Sequence, residues 1–510
     1  MKRWNILYEP CKMSIRVLCF AFVLIGFGYL IQNENVNIFY TFTNPYLLVL
    51  ARTLRSIGGV IVTNMPLIFL VSLVSKRANS GAPTVMAIVG YITYLIVTTL
   101  WTSDLMPSQV YANTLGISLL NNGKLSFPIQ TGLLGAFIVV FATRISYLKS
   151  RRRTAYSLLA FTNKDTSGLI YNIILCAVMG VVVSLAWPFV IQIYEKGINW
   201  IAEDISNPHK LFVYGVVDRL SSIMGMGDLI REPFWYGTAG GTYQSVTGSV
   251  IVGDVNIWRY MPEAASTFTG VGRFITPYYV INMFLVPSIY LGMYFSYDDH
   301  RQRKKSLFFL IAAMLMSFIC GNPLPLELVL LLTSPILLIM YLVGCGTLFT
   351  VLSQSQAFLG FNYSGTTAAA MPGSFADYII NIRTPQFQHT MLIILIVGII
   401  FAIIFFMLTM VYYRYLAFDL AGTNKSKVIV KRIIDAVGGT ENIVSASSGP
   451  FNLSIELKDL EAVSYEKIKK VGAKRVTETN NGLILDFCSA SKIIKVNLLK
   501  VVESRKRLKG

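Results

Sequence analysis

The sequence predicts a polytopic α-helical membrane protein of about ten spans, followed by a small C-terminal α+β domain. Hydrophobic residues make up 54% of the 510 residues and only 14% are charged, whereas a soluble protein carries roughly 25% charged residues. Up to Tyr415, long apolar stretches alternate with short basic loops. After it, Asn424 to Gly510 contains no stretch that is able to span a bilayer. These three observations define the fold class.

Nine apolar stretches approach or exceed the ~20 residues that a membrane-spanning helix needs. They are predicted near 14–31, 47–73, 84–101, 131–147, 168–196, 274–295, 306–320, 326–352 and 391–414. Part of the amphipathic segment 200–235 would supply a tenth span. The first stretch lacks a small-residue cleavage site, so it is predicted to be a span that is retained in the protein.

The net charge of +18 is spread over several short loops. Basic runs lie at Lys76 to Arg77, Lys149 to Arg153, Arg301 to Lys305 and Lys425 to Arg432. The positive-inside rule therefore predicts that these loops and the C-terminal domain are cytoplasmic. This distribution argues against nucleic-acid binding. The six cysteines are scattered without a CxxC pair, which is typical of buried thiols, and no pattern indicates a metal or a cofactor.

Three segments depart from a simple span. Trp200 to Trp235 is amphipathic and is predicted to lie at the interface or to re-enter the membrane. Phe318 to Pro335 contains two further prolines, whose freed backbone groups are tolerated at membrane depth only against protein or a water-lined cavity. Leu359 to Asp377 is rich in glycine and small polar residues. Such interruptions mark binding sites in transporters; the alternative is an ordinary kinked helix and an external loop.

Six polar side chains in and around these segments are the candidate solute contacts: Asp228, Glu232, Asn322, Glu327, Asn362 and Ser364. A carboxylate inside the membrane is a functional-site hypothesis by default. Glu327 follows two prolines in an apolar run, so its charge requires a partner or water. Asn64 is a weaker candidate, since it precedes a proline and alternatively only caps a broken helix.

The C-terminal segment alternates helix and strand patterns and predicts an α+β sandwich of roughly 80 residues. Helices are predicted at Val428–Val437, Tyr465–Lys470 and Ser491–Ser504, and strands at Asn442–Ala446, Leu453–Leu457 and Leu483–Phe487. A turn is predicted at Ser447 to Pro450. The chain is therefore divided into a membrane part at 1–415, a linker at 416–426 and a cytoplasmic domain, here called the tail, at 427–510.

The tail's GGTENIVSASSGPFNLSIELKD, Gly438 to Asp459, resembles the IIB domain of sugar phosphotransferase systems of the glucose and glucoside type. NMPLIF (Asn64 to Phe69), GNPLPLE (Gly321 to Glu327) and GFNYSG (Gly360 to Gly365) are similar to segments of the partner IIC domain, in the same order. The resemblance implies a IIC-like, sugar-translocating membrane part and a IIB-like tail.

In that family IIC binds glucose, N-acetylglucosamine or a glucoside, and IIB passes a phosphoryl group from a cysteine to the sugar. The resemblance further implies a homodimer in the lipid of the cytoplasmic membrane. It names as partners the sugar and a IIA protein, or a separate IIB domain. Which sugar is bound stays open at this stage.

The tail departs from the family where the chemistry is performed. The family's phosphocysteine falls on Gly449, its threonine on Phe451, and its two arginines on Asn452 and Ser454. Pro450 removes an amide donor from the loop that would hold phosphate. No thiolate or cation pair is therefore left at the carrier position.

The membrane part shows matching losses. The family's two histidines fall on Gly227 and Asp228, and the first glutamate of its TEPIE segment falls on Leu324. Asp228 is a candidate replacement for a lost polar contact. Four interpretations stay open: uptake with phosphorylation, uptake with a separate IIB protein, transport without phosphorylation, and a catalytically inactive sensor or regulator. Whether the chain is itself an enzyme is thus undecided by sequence.

Overall fold

The structure is a computed structural model and is mainly helical. It describes residues 5–32, 44–75, 81–101, 110–111, 113–121, 123–151, 164–245, 248–260, 270–297, 300–361, 372–382, 384–414, 423–473, 475–487 and 490–507. Two of the candidate contacts, Asn362 and Ser364, lie outside these residues.

The described membrane part consists mainly of helices. They are α1 (Asn5–Gln32), α2 (Pro45–Thr63), α3 (Met65–Ser75), α4 (Ala82–Leu100), α5 (Gly132–Arg151), α6 (Lys164–Ala202), α7 (Pro208–Ile223), α8 (Asp228–Trp235), α9 (Asp254–Tyr260), α10 (Thr276–Val280), α11 (Val286–Phe295), α12 (His300–Cys320), α13 (Leu324–Thr333), α14 (Pro335–Gln354), α15 (Phe375–Ile382) and α16 (Gln388–Arg414). Two small antiparallel hairpins accompany them: β1 (Leu119–Asn121) with β2 (Lys124–Ser126), and β3 (Thr242–Gln244) with β4 (Val250–Val252).

Eight helical segments of the described chain are long and apolar enough to cross a membrane. They are Pro10–Gln32, Pro45–Thr63, Ala82–Leu100, Gly132–Arg151, Lys164–Ala202, Thr276–Phe295, Pro335–Gln354 and Gln388–Tyr413. The predicted multi-pass helical fold is confirmed, with eight candidate spans in the described residues in place of nine or ten.

The difference in number comes from the predicted stretch 306–320, which has no counterpart among the eight spans. Two other predicted stretches each keep one span but are interrupted by a helix break. The predicted stretch 47–73 is two helices that meet at Asn64, the C-cap of α2. The stretch 326–352 is divided at Ser334, before a proline that cannot continue the preceding hydrogen-bond ladder. In α12 the described apolar part, Leu310–Cys320, is shorter than a span requires.

The segment from α10 to α11 is continuous but contains a π-helical turn at Ile281–Leu285. Such turns occur frequently at functional sites, because they rotate side chains out of the ordinary helical register. Here the turn places Asn282 in the fully buried interior. The turn lies beside the segments that precede α13 and α15, because Asn282 donates hydrogen bonds to the carbonyls of Gly321 and Pro372.

The tail contains α17 (Thr423–Ala436), β5 (Ile443–Ser448), β6 (Asn452–Leu457), α18 (Tyr465–Lys470), β7 (Val476–Thr479), β8 (Gly482–Asp486) and α19 (Ser491–Arg507). The strands form one antiparallel sheet in the order β5-β6-β8-β7. Leu453 pairs with Leu485 and Ile455 with Leu483, and all four side chains are fully buried. The predicted α+β tail is confirmed.

Strand β7 was not predicted, because Val476–Thr479 has one aliphatic residue and no clear alternation. The strand forms because it pairs with β8, although its own sequence has no clear strand pattern. Helix α16 ends at Arg414 and α17 begins at Thr423. Most of the predicted linker 416–426 therefore lies outside the described residues, and its last residues belong to α17.

Candidate functional site

A cavity of about 830 Å³ lies in the membrane part where several helices are interrupted. Its walls come from the α2–α3 break, the α7–α8 turn, the segment before α13 and Pro372 ahead of α15. The volume is within the range of small-molecule sites. Irregular backbone is tolerated at membrane depth where it lines such a cavity. This satisfies the condition that the sequence set for the proline-containing segment before α13.

Two turns of the cavity wall depend on glycine. Gly225, between α7 and α8, has a φ of 77°, and Gly321, before α13, has a φ of 62°. Residues with a Cβ rarely adopt this left-handed conformation. The α7–α8 turn is fixed from outside by Gln130, whose Nε2 donates to the Gly225 carbonyl at 3.2 Å. The two glycines thus allow the backbone conformation that both turns require.

Asn64 caps a broken helix, as one of the two sequence interpretations predicted, and it lies in the cavity wall. Its Nδ2 donates to the Val60 carbonyl at 2.8 Å and so caps α2. Its Oδ1 accepts from the Leu115 amide at 2.8 Å, and the residue also lines the cavity. A broken-helix cap is therefore part of the cavity wall.

A buried ion-pair cluster lies in and behind this wall. Asp218, which is fully buried, accepts a hydrogen bond from Arg231 Nε at 2.7 Å and one from the Tyr278 hydroxyl at 2.5 Å. Arg231 also donates from Nη2 to the Ser222 hydroxyl at 2.6 Å. Because a buried charge requires pairing and hydrogen bonds, Asp218 ties α7, α8 and α10 together at one point.

Glu327 extends the cluster to α13. Its Oε1 lies 3.2 Å from Arg219 Nε and accepts a hydrogen bond from the Tyr341 hydroxyl at 2.7 Å. The contact with Arg219 is an ion pair without hydrogen-bond geometry, since neither Nε nor Nη1 of Arg219 has a hydrogen-bond partner in the described chain. Arg219 is only 2% exposed and lines the cavity. Its Nη1 is a buried donor that no residue of the described chain accepts from.

The four charges of the cluster balance. Asp218 and Glu327 are opposed by Arg219 and Arg231, with Arg219 lying 3.7 Å from Asp218 as well as against Glu327. The location of Glu327 in the first turn of α13 adds the favourable field of the helix N-terminus. A neutral, hydrogen-bonding cluster suits an uncharged polar ligand better than an ion.

The structure divides the predicted contacts. Asp228 and Asn322 line the cavity. Asn322 also caps the following helix, because its Oδ1 accepts from the Leu324 amide at 2.9 Å. Glu232, on α8, is half-buried and is not among the lining residues. Glu327 lies behind Arg219 and reaches the cavity through it.

Sequence reasoning passed over Arg219 and Arg231, although both stand in the amphipathic segment 200–235. An adjacent acid–base pair inside an otherwise apolar helix, Asp218 and Arg219, was the available signal. Asn282 had no signal. Its Nδ2 donates both to the Gly321 carbonyl at 3.0 Å and to the Pro372 carbonyl at 2.9 Å. One side chain of the π turn thus holds two cavity-lining loops together.

The carrier loop, Gly449 to Asn452, connects β5 to β6 in the tail. The Gly449 amide donates to the Asn452 carbonyl at 2.8 Å, so it is already used within the turn. Pro450 has no amide hydrogen. A Cβ added at Gly449 would overlap the ring of Tyr297, in the membrane part. The loop offers neither a nucleophile nor a set of free amides that would hold a phosphoryl group.

The family model of the phosphotransferase system EIIC matches residues 13–345. The chain belongs to the phosphotransferase system EIIC family. It is similar to the PTS system glucoside-specific EIICBA component of Staphylococcus carnosus (strain TM300), with 25% identity over 519 residues. That match covers 98% of this chain and 73% of the relative. The resemblance noted in the sequence is confirmed, and this EIIC-family chain is a multi-pass membrane permease of the sugar phosphotransferase type.

Proposed function

We propose that this EIIC-family chain, as a homodimer in the cytoplasmic membrane, carries an uncharged sugar of the glucose, N-acetylglucosamine or glucoside class into the cell. We further propose that its cytoplasmic IIB-like tail, 427–510, carries no phosphoryl group. The relative's name, a glucoside-specific component, supports the sugar class. The carrier loop supports the second statement, because Gly449 stands where a thiol is needed and its amide is already bonded.

The proposed sugar contacts follow from the cavity. Arg219 Nη1 has no hydrogen-bond partner in the described chain and is offered as a donor. Asp228 and Asn322 line the same space and supply acceptors and a further donor. Glu327 acts through Arg219. Glu232, Asn362 and Ser364 belong to the proposed site as well, from α8 and from the glycine-rich segment.

Replacing Asp228 with asparagine is expected to weaken sugar binding, because a neutral amide oxygen is a poorer acceptor than a carboxylate. We expect the Kd to rise roughly three- to ten-fold, which corresponds to about 1 kcal/mol. Equilibrium binding of radiolabelled glucose, N-acetylglucosamine and a methyl glucoside to purified protein measures it. The matched control is Asp204→Asn, an exposed residue whose carboxylate caps a neighbouring turn. Equal affinity in both variants would remove Asp228 from the site.

The tail is expected to remain unlabelled in a phosphoryl-transfer assay. The purified chain is incubated with radiolabelled phosphoenolpyruvate, the general phosphotransferase components and a glucose-type IIA protein. A related IIB domain with its cysteine serves as the positive control and should label fully. Label on this chain under the same conditions would overturn the proposal that its tail carries no phosphate.

Uptake assays in reconstituted vesicles distinguish the three remaining interpretations. Uptake of unmodified sugar without phosphoenolpyruvate indicates transport that is independent of phosphorylation. Uptake that requires phosphoenolpyruvate together with a separate IIB domain indicates that another protein supplies the phosphocysteine. Sugar that binds but never enters, under either condition, indicates a sensor or regulator and contradicts the transport proposal.

A further inference from the structure

The carrier loop of the tail is covered by the membrane part of the same chain. Phe451 is half-buried and packs against the core of the membrane part. Its ring centroid lies 5.9 Å from that of Tyr413, near the end of α16, with the rings at 75°. This edge-to-face arrangement is the favoured geometry of an aromatic pair. The residue that replaces the family's threonine therefore makes an apolar contact outside its own domain.

Gly449 lies at the same contact between the tail and the membrane part. Its φ lies outside the left-handed region, so its backbone does not itself require glycine. The main obstacle to a side chain is the Tyr297 ring, which a Cβ would overlap; the Asn452 Oδ1 would lie 2.7 Å from that Cβ. Tyr297, just after α11, is only 8% exposed. The Tyr297 ring thus approaches the chain at the position where the family has its carrier cysteine and this chain has Gly449.

A third contact comes from another helix and another strand. Lys12 of α1 forms an ion pair with Asp486, at the end of β8, at 3.3 Å. The receiving surface is held in place: the Tyr413 hydroxyl bonds to Ser334 at 3.0 Å, and Arg303 donates to the Tyr297 carbonyl at 3.0 Å. Three contacts from separate elements define an orientation, which a single contact would not.

We propose that the carrier loop is a docking surface for the membrane part of its own chain. The tail then stays docked on the membrane part and does not move between a phosphoryl donor and the sugar. The loop of a phosphoryl shuttle has to leave the membrane part to meet a soluble donor. Here the same loop is closed against Tyr297 and Tyr413, with Phe451 as its apolar anchor. The docked tail contacts α1 as well as the ends of α11 and α16, so it bridges the N-terminal and C-terminal halves of the membrane part. This goes beyond the transport proposal and does not depend on which sugar is carried.

Intramolecular cross-linking tests the docking in the full chain in membranes. Lys12→Cys and Asp486→Cys are joined by a short bis-maleimide, and a protease site inserted in 416–422 then shows whether the tail stays attached. Each single-cysteine variant gives the background from the native cysteines. Gly449→Val is expected to slow cross-linking roughly ten-fold, the change that about 1.4 kcal/mol produces. Adding Tyr297→Ala, which removes the obstructing ring, is expected to restore the rate.

The rescue separates docking from misfolding, because a tail unfolded by valine is not repaired by a change in the membrane part. Tyr465→Ala, an exposed aromatic residue of the tail, is the control and is expected to cross-link at the parent rate. An unchanged rate in Gly449→Val would overturn the proposal. A slowed rate that Tyr297→Ala fails to restore would overturn it as well.

Discussion

Replacing Asp218 with alanine is expected to lower the stability of the protein by about 3–5 kcal/mol. The change leaves Arg219 and Arg231 buried around a lost carboxylate, and breaking a buried ion pair in this way costs about 3–5 kcal/mol. It also removes the acceptor of the Tyr278 hydroxyl. Since a protein's total stability is about 5–15 kcal/mol, the loss is a large share of it. Thermal unfolding of detergent-solubilised protein, followed by size-exclusion chromatography, measures the effect.

The matched control is Asp165→Ala. Asp165 pairs with Arg151 at 3.1 Å, but both side chains are more than 40% exposed. Such surface pairs contribute about 0–1 kcal/mol, so its unfolding temperature should stay close to that of the parent. If the two alanine variants unfold at the same temperature, Asp218 is not the electrostatic centre of the cluster.

Replacing Glu327 with glutamine is expected to impair sugar binding more than folding. The amide keeps the shape and the hydrogen bond from Tyr341 but loses the charge that faces Arg219 at 3.2 Å. Arg219 then leans towards Asp218, and its Nη1 moves relative to the cavity. We expect the sugar Kd to rise about ten-fold, which is about 1.4 kcal/mol. Radioligand binding beside a thermal unfolding curve separates the two effects.

Glu203→Gln is the corresponding control, since Glu203 differs from the buried cluster in exposure: its side chain is 69% exposed, and it pairs at 3.1 Å with Lys210, whose side chain is 11% exposed. It should leave both binding and unfolding unchanged. Normal sugar binding in Glu327→Gln would show that Glu327 neither contacts the sugar nor positions Arg219.

The membrane part and the tail differ in which polar groups they retain. The membrane part keeps a complete, charge-balanced cluster beside a cavity of about 830 Å³. The tail keeps its sheet and core, but its carrier loop has a glycine, a proline and a phenylalanine where phosphoryl chemistry needs a thiol and donors. These observations support the proposal that the chain binds a sugar without carrying a phosphoryl group on its tail.

Local sequence properties determined the class of the protein and its division. Apolar stretches of the length of a bilayer, interrupted by Pro323, Pro325 and glycine-rich segments, define a multi-pass protein with irregular backbone at membrane depth. The absence of a thiol at Gly449 is likewise a property of the sequence. Apolar, charged and helix-breaking residues influence the local structure of the few residues around them. These features can therefore be predicted without knowledge of the fold.

Only the tertiary structure decided which charges meet. Arg219 and Glu327 are on different helices, far apart along the chain, and no local pattern sets a distance of 3.2 Å between them. The same holds for Asn282, which joins two loops through one amide, and for Tyr297, which fills the space beside Gly449. Packing between distant segments creates these contacts, because a buried polar group takes its partner from whichever segment folds against it.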